Sequence, residues 1–300
     1  RFLKKRGNKV VFSTYQSSPQ IAKAMKKHKL PKFDLVIADE AHRCAGKVSP
    51  QYATILDNAL IPARRRLFMT ATPRVYQSQL KKKAAENDLT LASMDDEAIF
   101  GPQLHRLSFG KAIEDKLLSD YQVLVVGVND AMVNEMVTDR TLVKTETGIE
   151  GDARSLAIQI GLAKAIRKYD LKRLISFHSR VNLARNFAKD FKQVRDFLKP
   201  RQRPKGKITY EHVHGKMRTS DRNIKLRALG DLAEQDRYIL ANARCLSEGV
   251  DVPTLDGVVF VDPRRSVIDI VQAVGRAIRP DRTNENKIGT IVIPVFIEQG

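Results

Sequence analysis

Two adjacent carboxylates, Asp39 and Glu40, follow a short apolar run at residues 35–38 (LVIA). Such a run is typical of a strand that is buried on both faces. In open parallel sheets, ligands bind at the carboxyl ends of the strands. Asp39 at that edge could hold Mg²⁺, and Glu40 could polarise an attacking water. The alternative is a surface turn in which both acids are merely solvated.

A second set of polar residues lies more than two hundred positions further along the chain. Gln272, Arg276 and Arg279 follow one another at spacings of four and three, which places them on one face of a helix. Two guanidinium groups and an amide on one face could clamp a phosphate, and Gly275 leaves room for a ligand or a backbone. The alternative is that the arginines only stabilise the helix dipole.

Two further stretches give weaker signals. Thr70 and Thr72 end another apolar run and could relay hydrogen bonds between sites. Gly249 permits a turn, and Asp251 could accept a hydrogen bond from a ribose hydroxyl or from a clamp arginine. Taken singly, each stretch is also compatible with an ordinary strand end or turn.

The elements that must position these residues alternate along the chain between strands and helices. This alternation predicts an α/β fold with parallel sheets and right-handed crossovers. Strands are predicted at residues 10–13, 35–38, 66–69, 121–128, 173–178, 208–213, 238–241, 257–261 and 289–295. A helix predicted at 267–278 carries Gln272 and Arg276, and Arg279 comes directly after it.

The alternation is lost in a polar stretch near the middle of the chain. We therefore predict a first domain at 1–130, a linker at 131–151 and a second domain at 152–300. The coarse repetition of the two halves predicts two similar α/β domains.

Composition excludes several classes of protein. The chain is 42% hydrophobic and 29% charged, which is ordinary for a soluble globular protein. It has no apolar run long enough to span a membrane and no secretory signal pattern, so no membrane partner is expected. The two cysteines, Cys44 and Cys245, lie far apart and have no metal-type spacing. They favour a reducing, cytoplasmic location over a disulfide framework or a zinc site.

The net charge of +19 is concentrated in the second half of the chain. Residues 154–227 hold 21 basic and 5 acidic residues, a net charge of +16 in one segment. Such a field attracts polyanions, above all nucleic acid, although a solvated surface is the alternative. Because Trp is absent and aromatic residues make up only 6%, contact with the phosphate backbone is favoured over base stacking.

Four stretches occur in a fixed order: VIADEAH (36–42), MTATP (69–73), LSEGVDVP (246–253) and QAVGRAIR (272–279). With them the chain resembles the superfamily-two helicases and translocases of the DEAD/DEAH-box sort over essentially all of its length. The stretches FSTYQS (12–17), DEAHR (39–43) and MTATPR (69–74) resemble the restriction-enzyme branch. That branch includes the motor subunits of type III and single-polypeptide type I restriction systems and related phage-defence helicases.

The resemblance implies two RecA-like domains that close over ATP and Mg²⁺, the first of them truncated at its N-terminus. Asp39 would hold Mg²⁺ and Glu40 would be the catalytic base. Arg276 and Arg279 would reach the γ-phosphate from the second domain, and Gln272 would sense the same phosphate.

The resemblance also implies roles in coupling. His42 would couple the nucleotide site to Gln272 or Thr70, and Thr70 and Thr72 would link hydrolysis to domain movement. Gly249 and Asp251 would lie near the ribose and the interdomain hinge.

DNA is the nucleic acid that the resemblance implies, double-stranded and tracked along its backbone. The positions that match contact motifs are Ser13, Thr14, Ser179, Arg180 and Lys216. Nuclease or methyltransferase domains or subunits are the further partners expected of this branch.

One departure from the family concerns the phosphate-binding loop, GxxxxGK followed by Ser or Thr. The Gly-Lys pairs of the chain end at residues 47, 111, 207 and 216, and the next residues are Val, Ala, Ile and Met. We therefore expect this loop to lie upstream of the FSTYQS segment, and the 300 residues alone to bind ATP poorly. The alternative function is a non-hydrolysing nucleic-acid-binding module derived from a helicase.

Overall fold

A computed structural model describes residues 7–47, 54–87, 91–129, 153–243, 252–262 and 266–297. The chain forms two compact units, 1–106 and 107–300. Predictions for the linker at 131–151 and for Gly249 and Asp251 lie outside the described residues.

The first unit contains three α-helices and four short strands among its described residues. They are α1 (Ser18–His28), β1 (Phe33–Ala38), β2 (Gly46–Lys47), β3 (Ala63–Phe68), α2 (Ser78–Ala85), β4 (Leu91–Ala92) and α3 (Glu97–Phe100). Pro19 lies in the first turn of α1, where its missing amide hydrogen costs no hydrogen bond. The helix stops at Lys29, whose φ of 45° is left-handed.

The parallel pair β1–β3 brings two strand ends of the first unit side by side. Ala38 is opposite Phe68 in the register. Beyond the strands, the Met69 amide donates to the Ala38 carbonyl and the Ala41 amide donates to the Met69 carbonyl, each at 2.9 Å. The segments that follow both strands are therefore held together by backbone hydrogen bonds.

Two expectations for the first unit are wrong. The strand at residues 35–38 exists, but it is not buried on both faces, since Leu35 and Ile37 are 51% and 54% exposed. No described element covers the face of the β1–β3 sheet that carries Leu35 and Ile37. Residues 10–13 form no strand within the described chain, and Phe12 is 93% exposed. A strand requires a hydrogen-bonded neighbour, and none of the described strands pairs with this segment.

The second unit repeats strand and helix in the predicted order. Its described elements are α4 (Phe109–Glu114), β5 (Asp120–Asn129), α5 (Ala153–Lys168), β6 (Arg173–His178), α6 (Val181–Phe197), β7 (Ile208–His214), α7 (Thr219–Gly230), β8 (Arg237–Ala243), β9 (Gly257–Phe260), α8 (Val267–Ala277) and β10 (Ile288–Ile297). The strands predicted for the second half match these bounds to within a few residues.

Among the described residues, the strands of the second unit form one parallel sheet in the order β5-β10-β9-β6-β8-β7. Helices α5 and α6 bury one face of it through residues such as Ile160 and Phe191. Helices α7 and α8 bury the other face through Leu229 and Ala277. Strand β8 is buried along its whole length, as expected for a central strand covered on both faces. The predicted α/β class with parallel sheets is confirmed.

Strand β5 belongs to a different domain from the one that the sequence predicts. The sequence places it in the first domain, whereas it pairs with β10 from Asp120 opposite Ile288 to Asn129 opposite Ile297. A strand needs a hydrogen-bonded neighbour, and the edge of β10 that is not paired with β9 supplies one. The boundary between the two compact units accordingly falls after Arg106. The predicted linker itself stays a prediction.

Candidate active site

Asp39 and Glu40 form the turn that directly follows β1. The Asp39 Oδ1 accepts a hydrogen bond from the Glu40 amide at 2.9 Å. Glu40 has a φ of 51°, a left-handed conformation that costs a non-glycine residue about 1–3 kcal/mol. Residues held in such conformations cluster at functional sites. Asp39 is exposed and offers the hard oxygen ligand that Mg²⁺ takes, so this residue fits the metal that the sequence predicts.

His42 connects the carboxylate turn with the segment after β3. It lies in a short 3₁₀ helix, Ala41–Cys44, and is buried. Its Nδ1 is 3.3 Å from Glu40 Oε2 and 3.0 Å from Thr70 Oγ1. The same Thr70 oxygen accepts a hydrogen bond from the Thr72 amide at 3.1 Å. We call Glu40, His42, Thr70 and Thr72 the strand-end group.

Thr72 retains unused hydrogen-bonding capacity. Its side chain is buried, and its Oγ1 has no hydrogen-bond partner among the described residues. A buried hydroxyl left unpaired costs about 1–3 kcal/mol, so such groups usually serve a ligand, a water or a second conformation. This is compatible with the coupling role that the sequence predicts for Thr72.

Tyr15 is a contact of this site that the sequence reasoning missed. Its hydroxyl donates to the backbone carbonyl of Asp39 at 2.6 Å and is also hydrogen-bonded to the Cys44 thiol. Burial raises the pKa of Cys44 to about 11 and raises that of Tyr15 above its ordinary value. Both groups therefore stay protonated at neutral pH. The only signal in the sequence was the position of Tyr15 inside the FSTYQS stretch.

Helix α8 carries two of the three predicted clamp residues. Its N-cap Ser266 accepts a hydrogen bond from the Asp269 amide. Arg276 is buried, and its Nη1 donates to the Gln272 carbonyl at 2.7 Å, one helical turn back. Arg279, however, lies two residues beyond the last helical residue, so the expectation of one shared helical face is wrong for it. A proline disfavours helical backbone torsions at the residue before it, and Arg279 directly precedes Pro280.

The backbone of Arg279 is held by two polar side chains. Lys287 Nζ donates to the Arg279 carbonyl at 2.7 Å and to the Pro253 carbonyl at 2.6 Å. The Ser119 hydroxyl reaches the Arg279 carbonyl at 3.3 Å, and the Ser119 amide donates to the Ile278 carbonyl at 2.7 Å. Burial lowers the pKa of Lys287 to about 8, against the opposing effect of nearby Asp256 and Asp281. The carbonyls of Ile278 and Arg279, which directly follow α8, are thus hydrogen-bonded by residues of the same unit.

The predicted nucleic-acid residues occupy loops at strand and helix ends. Ser13 and Thr14 precede α1, where the Thr14 hydroxyl bonds to the Ser17 hydroxyl at 3.1 Å. Ser179 and Arg180 join β6 to α6, and Lys216 follows β7. Because β6 and β7 run parallel in one sheet, these three residues lie at the same edge. The Ser179 amide is fixed by Asp262, which follows β9.

None of the helices in the described parts of the chain is long and apolar enough to cross a membrane. Over the same parts, no group of three or more His, Cys, Asp or Glu residues is arranged to hold a metal ion.

Two family models match the chain. Residues 162–281 match the helicase conserved C-terminal domain, and residues 2–75 match the res subunit of type III restriction enzymes. A probable helicase of African swine fever virus is 26% identical over 296 residues, which is 96% of this chain and 28% of that protein.

Solved structures give a similar result. The chain is 30% identical to the ATP-dependent type ISP restriction-modification enzyme LlaBIII bound to DNA, with a TM-score of 0.79 over 95% of this chain and 19% of that one. The related enzyme LlaGI, in complex with a DNA substrate mimic, is 27% identical with a TM-score of 0.59, over 95% of this chain and 17% of that one. The chain spans less than a third of the length of these relatives.

Proposed function

Because the chain belongs to the superfamily-two helicases of the restriction-enzyme type, we propose that it is the motor of an ATP-dependent DNA translocase or helicase. The strand-end group is the observation that carries this proposal, since it joins a candidate base, a buried histidine and a threonine relay at one sheet edge. A turn that was merely solvated would not need a buried histidine bonded to the next strand end.

In this proposal Asp39 holds Mg²⁺, which neutralises phosphate charge when ATP is bound. Glu40 accepts the proton of the attacking water. His42 orients the Glu40 carboxylate through the 3.3 Å contact and connects it to Thr70. Thr70 and Thr72 then link ATP hydrolysis at the site to movement of the first unit.

The second unit contributes the phosphate clamp of the proposed mechanism. Arg276 and Arg279 approach the γ-phosphate and Gln272 senses it, as arginine fingers supplied within one chain. Gly249 and Asp251 are proposed to act near the ribose of ATP and at the hinge between the two domains. The backbone of Arg279, held by Lys287 and Ser119, supports this assignment because a fixed backbone orients the side chain it carries.

DNA is the proposed partner, bound as a duplex along its backbone by Ser13, Thr14, Ser179, Arg180 and Lys216. The net charge of +16 in residues 154–227 supports this partner. The relatives in solved structures are restriction-modification enzymes, so we propose a restriction or defence role with nuclease or methyltransferase partners. Because the 300 residues contain no phosphate-binding loop of the GxxxxGK type followed by Ser or Thr, we propose that they bind ATP poorly on their own.

The test is ATP hydrolysis by the full-length protein with and without duplex DNA. Glu40→Gln should lower the rate by about 10²–10⁴-fold, the usual contribution of a general base, and leave DNA binding intact. Glu114→Gln is the matched control, because Glu114 is exposed and pairs with Lys111 on its own helix. Full activity in Glu40→Gln would remove Glu40 from the mechanism.

A second candidate is the non-hydrolysing nucleic-acid-binding module. The missing phosphate-binding loop favours it. It is the correct function if the full-length protein binds DNA equally well with and without ATP and shows no hydrolysis above the Glu40→Gln background.

A further inference from the structure

We propose that Tyr15 is a positioning residue that transmits DNA binding to the Asp39–Glu40 turn. The inference rests on the proposed function and assigns a role to a residue that the proposed mechanism does not use. The hydroxyl of Tyr15 is 2.6 Å from the Asp39 carbonyl, across 24 positions of sequence. It joins the 3₁₀ helix Tyr15–Ser17 to the turn that ends β1.

The peptide between Asp39 and Glu40 is held from both sides. Tyr15 donates to its carbonyl oxygen at 2.6 Å, and Asp39 Oδ1 accepts from its amide nitrogen at 2.9 Å. A peptide unit is planar and rotates as one body. A shift of the Tyr15 hydroxyl therefore rotates this plane and changes the φ of Glu40, which at 51° is already in a sparsely populated region. That rotation moves the carboxylate relative to His42.

Tyr15 is also rigidly joined to the segment proposed to contact DNA. The Ser17 amide donates to the Thr14 carbonyl at 3.1 Å, and the Thr14 and Ser17 hydroxyls are 3.1 Å apart. The Ser18 hydroxyl donates to the Tyr15 carbonyl at 2.7 Å, at the start of α1. Thr14 is exposed at the start of this turn. A phosphate that docks on Ser13 and Thr14 would therefore displace the turn as a unit, with the Tyr15 ring attached.

Tyr15 has a second partner in the short 3₁₀ helix that follows the Asp39–Glu40 turn. Cys44 is fully buried, is hydrogen-bonded to Tyr15, and ends the 3₁₀ helix that carries His42. Tyr15 thus contacts Asp39, which precedes Glu40, and Cys44, which follows His42. Since both hydroxyl and thiol stay protonated at neutral pH, the link does not depend on ionisation in that range.

The first test compares Tyr15→Phe with Tyr76→Phe in the full-length protein. Tyr76 is a half-buried tyrosine of the same unit and is the matched control. The readout is the ratio of DNA-stimulated to basal ATP hydrolysis. We expect Tyr15→Phe to lower this ratio about tenfold, within the usual range of coupling between sites. A purely structural role would lower both rates in proportion, and an unchanged ratio overturns the inference.

The second test needs no hydrolysis. Hydrogen exchange of residues 36–44 is measured without nucleotide, in the presence and absence of duplex DNA. We expect DNA to slow exchange in the wild type and in Tyr76→Phe, and not in Tyr15→Phe, although DNA still protects other segments of that variant. Slowing that persists in Tyr15→Phe, or that is absent from the wild type, overturns the inference. If the full-length protein hydrolyses no ATP, the proposed function fails while this exchange experiment still decides the role of Tyr15.

Discussion

Thr70 is the residue on which the strand-end group depends. Its hydroxyl bonds both to the buried ring of His42 and to the Thr72 amide, so one oxygen holds the segments after β1 and β3 in register. The strained φ of Glu40 persists because neighbouring contacts over-determine it. Removal of one such contact should affect the orientation of the carboxylate more than the affinity for the nucleotide.

We therefore predict that Thr70→Val lowers kcat for ATP hydrolysis about tenfold while KM for ATP changes little, since an orienting group acts mainly in the transition state. It should also lower the free energy of unfolding by about 1 kcal/mol through the lost hydrogen bonds. Thr70→Ser, which keeps the hydroxyl, should restore both. A rise in KM with an unchanged kcat would contradict this orienting role.

At the scale of elements, the end of helix α8 is fixed by strand β10 and the turn before it. A Cβ at Gly289 would lie 2.7 Å from the Ala277 carbonyl oxygen and 2.8 Å from a methyl group of Ile278. This glycine lets β10 pass directly under the end of the helix. Lys287, two residues earlier, ties the Arg279 carbonyl to that of Pro253. The position of Arg279 is therefore set by packing and hydrogen bonds after the helix has ended.

Gly289→Ala should destabilise the protein by about 1–3 kcal/mol, because the added methyl group overpacks a backbone contact. Gly275→Ala is the matched variant within α8, since a Cβ there meets nothing within 4 Å. It should stabilise the helix by about 0.5–1 kcal/mol. Urea unfolding followed by circular dichroism measures both changes. Equal destabilisation by the two variants would contradict this account of the close approach at Gly289.

Lys287 makes the stability of the second unit depend on pH. Its pKa is lowered to about 8 in the folded protein, against 10.5 ordinarily. Between these values the unfolded chain binds more protons, so the contribution of Lys287 to stability rises with pH. The wild type should therefore gain stability relative to Lys287→Met from pH 8 to 10, and the difference should be flat from pH 6 to 7. Lys199→Met, at an exposed position of the same unit, is the control for urea unfolding. A constant difference between wild type and Lys287→Met would contradict the shift.

At the scale of the whole molecule, charge is the property most relevant to the proposed partner. The net charge is +19, and residues 154–227, which lie within the second unit, contribute +16 of it. Arg180 and Lys216 lie at the carboxyl edge of that unit's sheet, where loops rather than core residues meet solvent. A field of this size should affect DNA binding through the release of counterions.

We predict that affinity for duplex DNA falls by about 10³-fold or more between 50 and 200 mM salt, as expected for a protein with six or more phosphate contacts. Lys216→Gln should weaken binding to all sequences and reduce the slope of log K against log salt by about one. Lys111→Gln, which removes a lysine already paired with Asp115, is the control. A flat salt response would leave the basic segment as a solvated surface.

The elements of the second unit could be predicted from the sequence, because short runs rich in apolar residues, such as 173–178, are buried and alternate with helices. The partner of a strand could not be predicted in this way. An apolar run reveals neither that β5 joins β10 nor that Leu35 and Ile37 remain exposed. Helical spacing placed Gln272 and Arg276 correctly but failed at Arg279, where Pro280 ends the periodicity.

For the candidate site, too, the residues could be predicted from the sequence but their contacts could not. The residues of the strand-end group could be selected from their types, since an acid, a histidine and threonines after apolar runs have recognisable chemistry. Which of them touch is a tertiary property, and the 3.0 Å contact between His42 and Thr70 joins positions 28 apart. Tyr15 was missed because its contact is to a backbone carbonyl, and a carbonyl leaves no mark in the sequence.

The pairing of β5 with β10 has a consequence for synthesis of the protein. Among the described strands of the sheet, β5 leaves the ribosome first, and its partner β10 begins at Ile288. At about 5–20 residues per second, this strand waits roughly 10–30 s for its neighbour. During that time a β-branched segment (YQVLVVGV) has an unpaired edge, which is the property that recruits chaperones and nucleates aggregation. Residues 120–129 are thus the first part of this sheet to be translated and the last to be paired.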